Sequence, residues 1–460
     1  MEPLPYAFPS DEELRGRRVV VLGLGLFGGG EATVRFLCAL GCSVLVTDLR
    51  EESRLAGTLG RLSDLRFDAT LGRHSAGDLA SAEWLVVNPA VPPHAPFLQA
   101  AVEAGVPLTS EVGLTLSRLN ADLVLVTGSK GKSTTSTLIH EMLLASGRQS
   151  WLCGNIGRSI LREASDIPAG DAVVFEISSF QLEQLAGHAL RPKVAVLTNL
   201  FPVHLDRHGT FEEYCRVKES ALSGAECAIL NHSDPTVRSL GERLTGDVSW
   251  FSGGEPPPSG LVLLGSAISR VSGERVVSAG EITLPGRHNL LNVMAALLAA
   301  EEVGCNGSAA VGAARSFAGV PHRLELVGRS NGTRLINDSI ATVPQSTLAA
   351  LAAFEAPLIL IAGGYETGCD LRELAAEIGR RARLLVTLGQ SGPRLASAVA
   401  AAAPGLPQCA VESLEDAVAT ALAEAGPEDV ILLSPAFPSY DMFQNFQERG
   451  DRFRGLAPGR

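Results

Sequence analysis

Residues 126–135 read Val-Thr-Gly-Ser-Lys-Gly-Lys-Ser-Thr-Thr, and their reading decides the fold. The apolar run Leu123-Val124-Leu125-Val126 precedes them. Leu138, Ile139, Met142 and Leu143 follow at helical spacing, so the stretch predicts a strand, a glycine turn and a helix start. Such a turn is a phosphate cradle. Backbone N–H groups across Gly128, Ser129, Lys130 and Gly131, with the positive end of the helix dipole, attract an oligophosphate. Lys132 adds a point charge, and Ser133 or Thr134 can hold Mg²⁺. The spacing Gly128-x-x-Gly131-Lys132-Ser133 is shorter than the common G-x-x-x-x-G-K-[ST] form.

Upstream, the buried-strand pattern Arg18-Val19-Val20-Val21-Leu22 leads into Gly23-Leu24-Gly25-Leu26-Phe27-Gly28, a helix through Ala32 to Leu40, and a strand ending at Asp48. A G-x-G-x-x-G turn followed by an acid at that distance fits NAD or FAD, and a nucleotide-sugar diphosphate meets the same physics equally well. Further strands are expected at 84–87 and 107–109, with a helix over 96–104. Downstream, strands recur at 172–177, 194–199 and 227–230 between helical stretches. A proline-rich loop at 253–259 and a Leu/Ala-rich helix at 289–303 follow. From about Val320 the pattern restarts, with strands at 358–362, 384–388 and 430–433 alternating with helices. The chain therefore reads as α/β in three domains. These are a Rossmann-like one over 1–110, a central P-loop domain with a mostly parallel sheet over 111–319, and a Rossmann-like one over 320–460.

The chain has 460 residues, 46% of them hydrophobic, and a formal net charge of −12. No basic face offers itself to a phosphate polymer, which argues against nucleic-acid or anionic-membrane binding. No apolar run approaches the ~20 residues of a membrane span, and the first residues lack a secretion signal. Eight cysteines are scattered without a C-x-x-C pair, as expected of reduced thiols in a cytoplasmic protein. Of 38 basic residues only Lys130, Lys132, Lys193 and Lys218 are lysine. A lysine that survives such an arginine bias marks a place where a compact ammonium, or an amine able to lose its proton, cannot be replaced by guanidinium.

Glu176 follows the strand Val173-Val174-Phe175, where a carboxylate can reach the metal of a bound triphosphate. Taken alone it is equally a solvated strand-end residue, and His204 alone is a helix cap. Together, Gly128 to Thr134, the run Glu176-Ile-Ser-Ser-Phe-Gln-Leu-Glu183, His204-Leu-Asp206, Tyr214-x-x-x-Lys218, Gly286-Arg-His288-Asn289-x-x-Asn292, Pro321-His322-Arg323 and Asn337-Asp338-Ser339 occur in the order found in the Mur ligases. The chain resembles that family over nearly its whole length. Ser434-Pro435-Ala436 and Phe443-Gln-Asn-Phe446-x-x-Arg449-Gly450 resemble the branch that adds D-glutamate to UDP-N-acetylmuramoyl-L-alanine.

The resemblance implies a monomeric ligase using ATP and Mg²⁺, acting through an acyl phosphate. It puts Gly25, Leu26, Phe27 and Gly28 near the UDP diphosphate and Asp48, Leu49 and Arg50 near the uridine, which displaces the NAD reading. Lys132 would neutralise the transferring phosphate, Ser133 and Glu176 would ligate one Mg²⁺, and His204 and a carbamylated Lys218 would face a second. Asn292, Arg323 and Asp338 match nucleotide positions, and Asn155 and His204 lie near the muramoyl substrate. The chain departs from the family pattern at Lys130, where asparagine is usual, at Ile340, where lysine is usual, and at Thr367, where a basic residue commonly holds the glutamate carboxylate. Thr342, Thr367, Ser439 and the Phe446 backbone are the candidates for that task. L-glutamate as the added amino acid, a nicotinamide-dependent oxidoreductase and a non-catalytic nucleotide-binding module remain the alternatives.

Overall fold

Alternation of apolar strands with helices produces three sheets in the computed structural model, which describes residues 4–26, 28–80, 82–284 and 286–458. The first comprises β1 (Arg18–Leu22), β2 (Ser43–Asp48), β3 (Asp68–Leu71), β4 (Trp84–Val87) and β5 (Leu108–Thr109). They are all parallel, in the order β3-β2-β1-β4-β5. Alternate side chains of β1 enter different cores, Val19 and Val21 one and Val20 and Leu22 the other. A strand buried on both faces is why its sequence is an unbroken apolar run.

The central sheet holds β6 (Asp122–Thr127), β7 (Ser150–Gly154), β8 (Ala172–Glu176), β9 (Val194–Leu197), β10 (Cys227–Asn231), β11 (Asp247–Ser252), β12 (Leu261–Leu264), β13 (Ala267–Arg270) and β14 (Arg275–Ser278). Their order is β14-β13-β12-β11-β10-β9-β6-β8-β7. Pairing is parallel from β7 to β12 and antiparallel over β12 to β14. The order changes direction at β6, with β8 on one side and β9 on the other, and the crevice beyond the carboxyl ends of such strands is where α/β sheets bind ligands.

The third sheet is β15 (Glu325–Ser330), β16 (Thr333–Asn337), β17 (Leu358–Gly363), β18 (Ala382–Leu388), β19 (Gln408–Ala410) and β20 (Val430–Leu433). The order is β15-β16-β20-β17-β18-β19, antiparallel only between β15 and β16. Here too each central strand feeds two cores, Leu358 and Leu360 on one face and Ile359 and Ile361 on the other.

The strands at β1, β4, β8, β9, β10, β17, β18 and β20 fall where the apolar runs predict them. Of those not anticipated, β3, β7, β14, β15 and β19 lie at sheet edges, while β11, β12, β13 and β16 lie inside their sheets. β3 contains no buried residue, so burial never imposed an apolar signature on it. The chain divides into two compact units, 1–317 with the first two sheets and 318–460 with the third. No described helix is long and apolar enough to cross a membrane.

Candidate active site

The turn after β6 is shaped by two glycines. Gly128 has φ +139 and Gly131 φ +83, and a Cβ at the first would land on Thr198 Oγ1, at the second on the Asn292 amide. The end of β9 holds the turn from outside. Asn199 O accepts from Ser129 N at 2.9 Å, Asn199 Oδ1 accepts from Lys130 N at 2.8 Å, and the Thr198 hydroxyl donates to Lys130 O at 2.6 Å. Ser129 Oγ lies 2.8 Å from the Tyr214 hydroxyl. Gly131 precedes the helix Lys132–Ala145 without a side-chain cap, so its first-turn N–H groups are available to a phosphate. Lys132 Nζ donates to Gly128 O at 3.0 Å and Ser129 O at 3.2 Å. Ser133 is buried, Thr134 half-buried and Lys130 exposed. Asn292, buried, packs under Gly131 and is 3.5 Å from Thr135 Oγ1. Gly131→Ala should raise the KM for ATP by about tenfold or more, because both the backbone angle and the Asn292 contact oppose a methyl group at ~1–3 kcal/mol; an unchanged KM would show that the turn is not a phosphate cradle.

Beside the turn lie a carboxylate and an amine. Glu176 ends β8 with its side chain buried. Oε1 accepts from Asn155 Nδ2 at 2.9 Å, and Oε2 is buried without a hydrogen-bond partner. An orphaned carboxylate oxygen at this position fits a divalent cation. No cluster of three or more His, Cys, Asp or Glu accompanies it among the described residues, so Ser133, phosphate and water would complete the shell, as Mg²⁺ prefers. Lys218, on the helix Phe211–Glu219, is only 2% exposed and donates to Thr127 Oγ1 at 2.9 Å. Burial first, then the charge of Lys132, push its amine well below the usual lysine pKa, with Glu176 opposing. His204 is an exposed, left-handed residue (φ 55) opening the short helix Leu205–His208, with its ring edge-on to Phe180 at 5.2 Å. Partial desolvation lowers its pKa, helped by the charges of His208, Lys132 and Lys218 and opposed by Asp206.

A neighbouring network escaped the sequence reading. Arg207 Nη2 pairs with Glu183 Oε2 at 2.7 Å, and its Nη1 donates to Val91 O at 3.0 Å. His208 lies 3.0 Å from both Glu183 Oε1 and Ser179 Oγ. Arg207 and His208 follow His204 by three and four residues, but nothing in that spacing points to Glu183, 24 residues before Arg207.

In the first sheet, Gly23, Gly25 and Gly28 all have positive φ (86, 67 and 85). Asp48 Oδ2 accepts from Gly25 N at 3.2 Å and Oδ1 from Arg50 N at 2.9 Å, so this acid fixes the glycine turn and its own loop. Asn88, which sequence reading missed, braces the same turn through Nδ2 to Gly23 O at 3.1 Å. Leu26 is half-buried, while Leu49 and Arg50 are exposed. Phe27, expected near the diphosphate, lies outside the described residues.

In the second unit, Asp338 is buried after β16 and accepts from Ser434 Oγ at 2.8 Å and Leu324 N at 3.2 Å. Desolvation raises its pKa from 3.8 to about 7 against both hydrogen bonds and the charge of the exposed Arg323. Below about pH 4 the carboxyl is protonated in both folded and unfolded chains. Between about 4 and 7 only the unfolded chain loses its proton, so stability falls through that window and then levels. Asp338→Asn should reduce that fall by on the order of 2–4 kcal/mol, read as a Tm gain larger at pH 8 than at pH 5; equal gains at both would refute it. Thr342, Thr367 and Ile340 are half-buried, and Ser439 is buried with its hydroxyl unpartnered. Phe446 O accepts from Ser339 Oγ at 2.8 Å, while its own N–H belongs to the first turn of the helix Phe446–Leu456.

Three family models match in sequence: the Mur ligase MurD-like N-terminal domain over 17–110, the Mur ligase middle domain over 126–300, and the Mur ligase glutamate ligase domain over 322–437. A UDP-N-acetylmuramoylalanine--D-glutamate ligase of Pelotomaculum thermopropionicum is 38% identical over 96% of this chain and 97% of its own. One from Roseiflexus sp. is 37% identical over 97% and 99%. Among solved structures, a UDP-N-acetylmuramate-alanine ligase from Thermotoga maritima superposes with a TM-score of 0.56 at 19% identity, covering 95% of this chain and 98% of that one. At that identity it speaks for the fold alone. Fold, motif order and near-full-length relatives agree that the chain belongs to the Mur ligase family.

Proposed function

We propose that this chain is the ATP-dependent ligase that joins D-glutamate to the alanyl carboxylate of UDP-N-acetylmuramoyl-L-alanine, a step in peptidoglycan precursor synthesis. The observation that carries this reading is the near-full-length match to ligases of that name. The phosphate turn, the orphaned Glu176 oxygen and the buried Lys218 amine at the carboxyl ends of β6 and β8 support it. Residues 1–110 are assigned to UDP, 111–319 to ATP and 320–460 to the amino acid. We assign Gly25 to Gly28 to the diphosphate, Asp48 to Arg50 to the uridine, and Asn155 and His204 to the muramoyl end. Asn292, Arg323 and Asp338 are assigned to the nucleotide. Its eight cysteines are all free thiols, in keeping with a cytoplasmic enzyme, and it is taken to act as a monomer.

A carboxylate is a poor electrophile, so ATP first transfers its terminal phosphoryl to the alanyl carboxylate oxygen, breaking the bond to ADP. The glutamate amine then forms the amide as the acyl carbon–oxygen bond breaks and phosphate leaves. The turn binds the phosphate chain through its N–H groups, and Lys132 moves from the Gly128 and Ser129 carbonyls to the transferring phosphoryl. Ser133 and Glu176 would hold one Mg²⁺ and His204 and a carbamylated Lys218 would face a second, and the metal would supply charge neutralisation when bound. Asn155 holds the Glu176 carboxylate in place.

ADP release with UDP-N-acetylmuramoyl-L-alanine and each glutamate enantiomer tests the proposal. Faster turnover with the D form is expected. Equal or faster turnover with L-glutamate would favour the second reading, which the uncharged Ile340 and Thr367 support, and no release with either would defeat both.

A further inference from the structure

With Ile340 and Thr367 uncharged, another cation has to attract an acidic amino acid, and the second unit contains one of unusual kind. Arg449 is 2% exposed, among the largest fully buried side chains of the protein. Its guanidinium donates from Nε to Ser339 Oγ at 3.0 Å, from Nη2 to Ser339 O at 2.9 Å, and from Nη1 and Nη2 to Phe437 O at 3.2 Å. Every one of these acceptors is neutral. No carboxylate stands within ion-pair distance among the described residues, and Asp441 acts on it only through space. Arg394 by contrast is held by both oxygens of Glu366, at 2.9 and 2.8 Å, so its charge is already answered.

Position strengthens the case. β16, β20 and β17 are adjacent in the sheet, and Arg449 bonds to the segments following the first two, at Ser339 and Phe437. Its Nη1 would lie 3.1 Å from a Cβ on Gly364, just past the end of β17. The charge therefore sits under the crevice beyond three strand ends, where a ligand of an α/β sheet is expected. Ile340 and Thr367 belong to two of these loops. On the third, Ser439 carries a buried hydroxyl with no partner, a donor that a carboxylate oxygen would satisfy. A buried cation without an anion is costly unless another charge completes it, and the field of a charge screened by little water reaches beyond contact distance.

We infer that Arg449 is a positioning residue for the incoming amino acid, its charge holding a substrate carboxylate over the β16, β20 and β17 loops with Ser439 Oγ as the direct donor. The inference rests on the glutamate-ligase reading; Arg449 belongs to the motif this chain shares with that branch, and here it acts without the basic residues usual at 340 and 367. The test is steady-state ADP release by the full-length enzyme, with Tm recorded for each variant. Arg449→Met should raise the KM for glutamate by about 10- to 100-fold, the worth of a charge-assisted interaction, and leave the KM for ATP and for the muramoyl substrate within about twofold. Arg449→Lys, which keeps the charge and loses the planar fork, should recover most of the glutamate KM. If Lys is as damaging as Met, or all three KM values rise together, Arg449 merely ties the loops and the inference is wrong. Should Arg449→Met fail to fold, Ser439→Ala and Arg449→Lys decide: a glutamate KM unmoved by the first and strongly raised by the second overturns it. A wild-type enzyme turning over a neutral or basic amino acid in place of glutamate would defeat the functional reading itself, an outcome visible before any variant is made.

Discussion

Lys132→Ala is expected to lower ADP release by about 10²–10³-fold, the usual effect of removing one preorganised donor from a developing charge. Folding should be little affected. The ammonium donates to Gly128 O and Ser129 O within its own turn, and the turn keeps its bracing by Thr198, Asn199 and Tyr214. Differential scanning and UDP binding to the first domain should therefore match wild type while turnover collapses. Turnover within about threefold of wild type would remove Lys132 from the phosphoryl-transfer step and, with it, the reading of this turn as the reaction centre.

Lys218→Arg is expected to be nearly as damaging as Lys218→Ala, at about 10²-fold or more. The family resemblance implies that this amine takes up CO₂, forming an N–C bond, releasing a proton and becoming an anion that faces the second metal. That chemistry needs a neutral amine, and the surroundings favour one. The side chain is almost fully buried, its amine donates to the Thr127 hydroxyl at 2.9 Å, and Lys132 repels its charge. Arginine, with a pKa above about 12, stays cationic and cannot react. A role as a simple cation would let Lys218→Arg retain activity, which is the outcome that sinks the carbamate. Wild-type enzyme in ¹³C-bicarbonate should show a carbamate carbon signal that both variants lose, and this readout does not depend on turnover.

Some of this was legible in one dimension because burial on both faces forces an unbroken apolar run. β1, β6, β8, β9, β17 and β20 read so, and the glycines after β1 and β6 were recognisable because a close backbone approach tolerates no side chain. Lys132, Ser133 and Glu176 could be named since they stand at or just beyond those strand ends, and Lys218 because it is one of four lysines and matches a motif of the resembled family. Asn88 bracing Gly23, Asn199 and Thr198 clamping Lys130, and Arg207 with His208 around Glu183 carry no such offset. Each meets its partner across the sheet or between helices, and the residues lie 65 to 69 apart in the first two cases.

The sequence by itself determined the α/β class, the glycine turn after β6, the family and the uncharged residues at 340 and 367, because each is written in local spacing or residue type. Only the tertiary structure decided that, among the described residues, Glu176 keeps one oxygen unpaired and the buried Arg449 has no carboxylate within ion-pair distance, that Lys218 is buried against Thr127, and that Asp338 resists ionisation. The reason is physical: pairing and desolvation depend on which distant groups share a volume, and a linear order of residues does not state what surrounds any one of them.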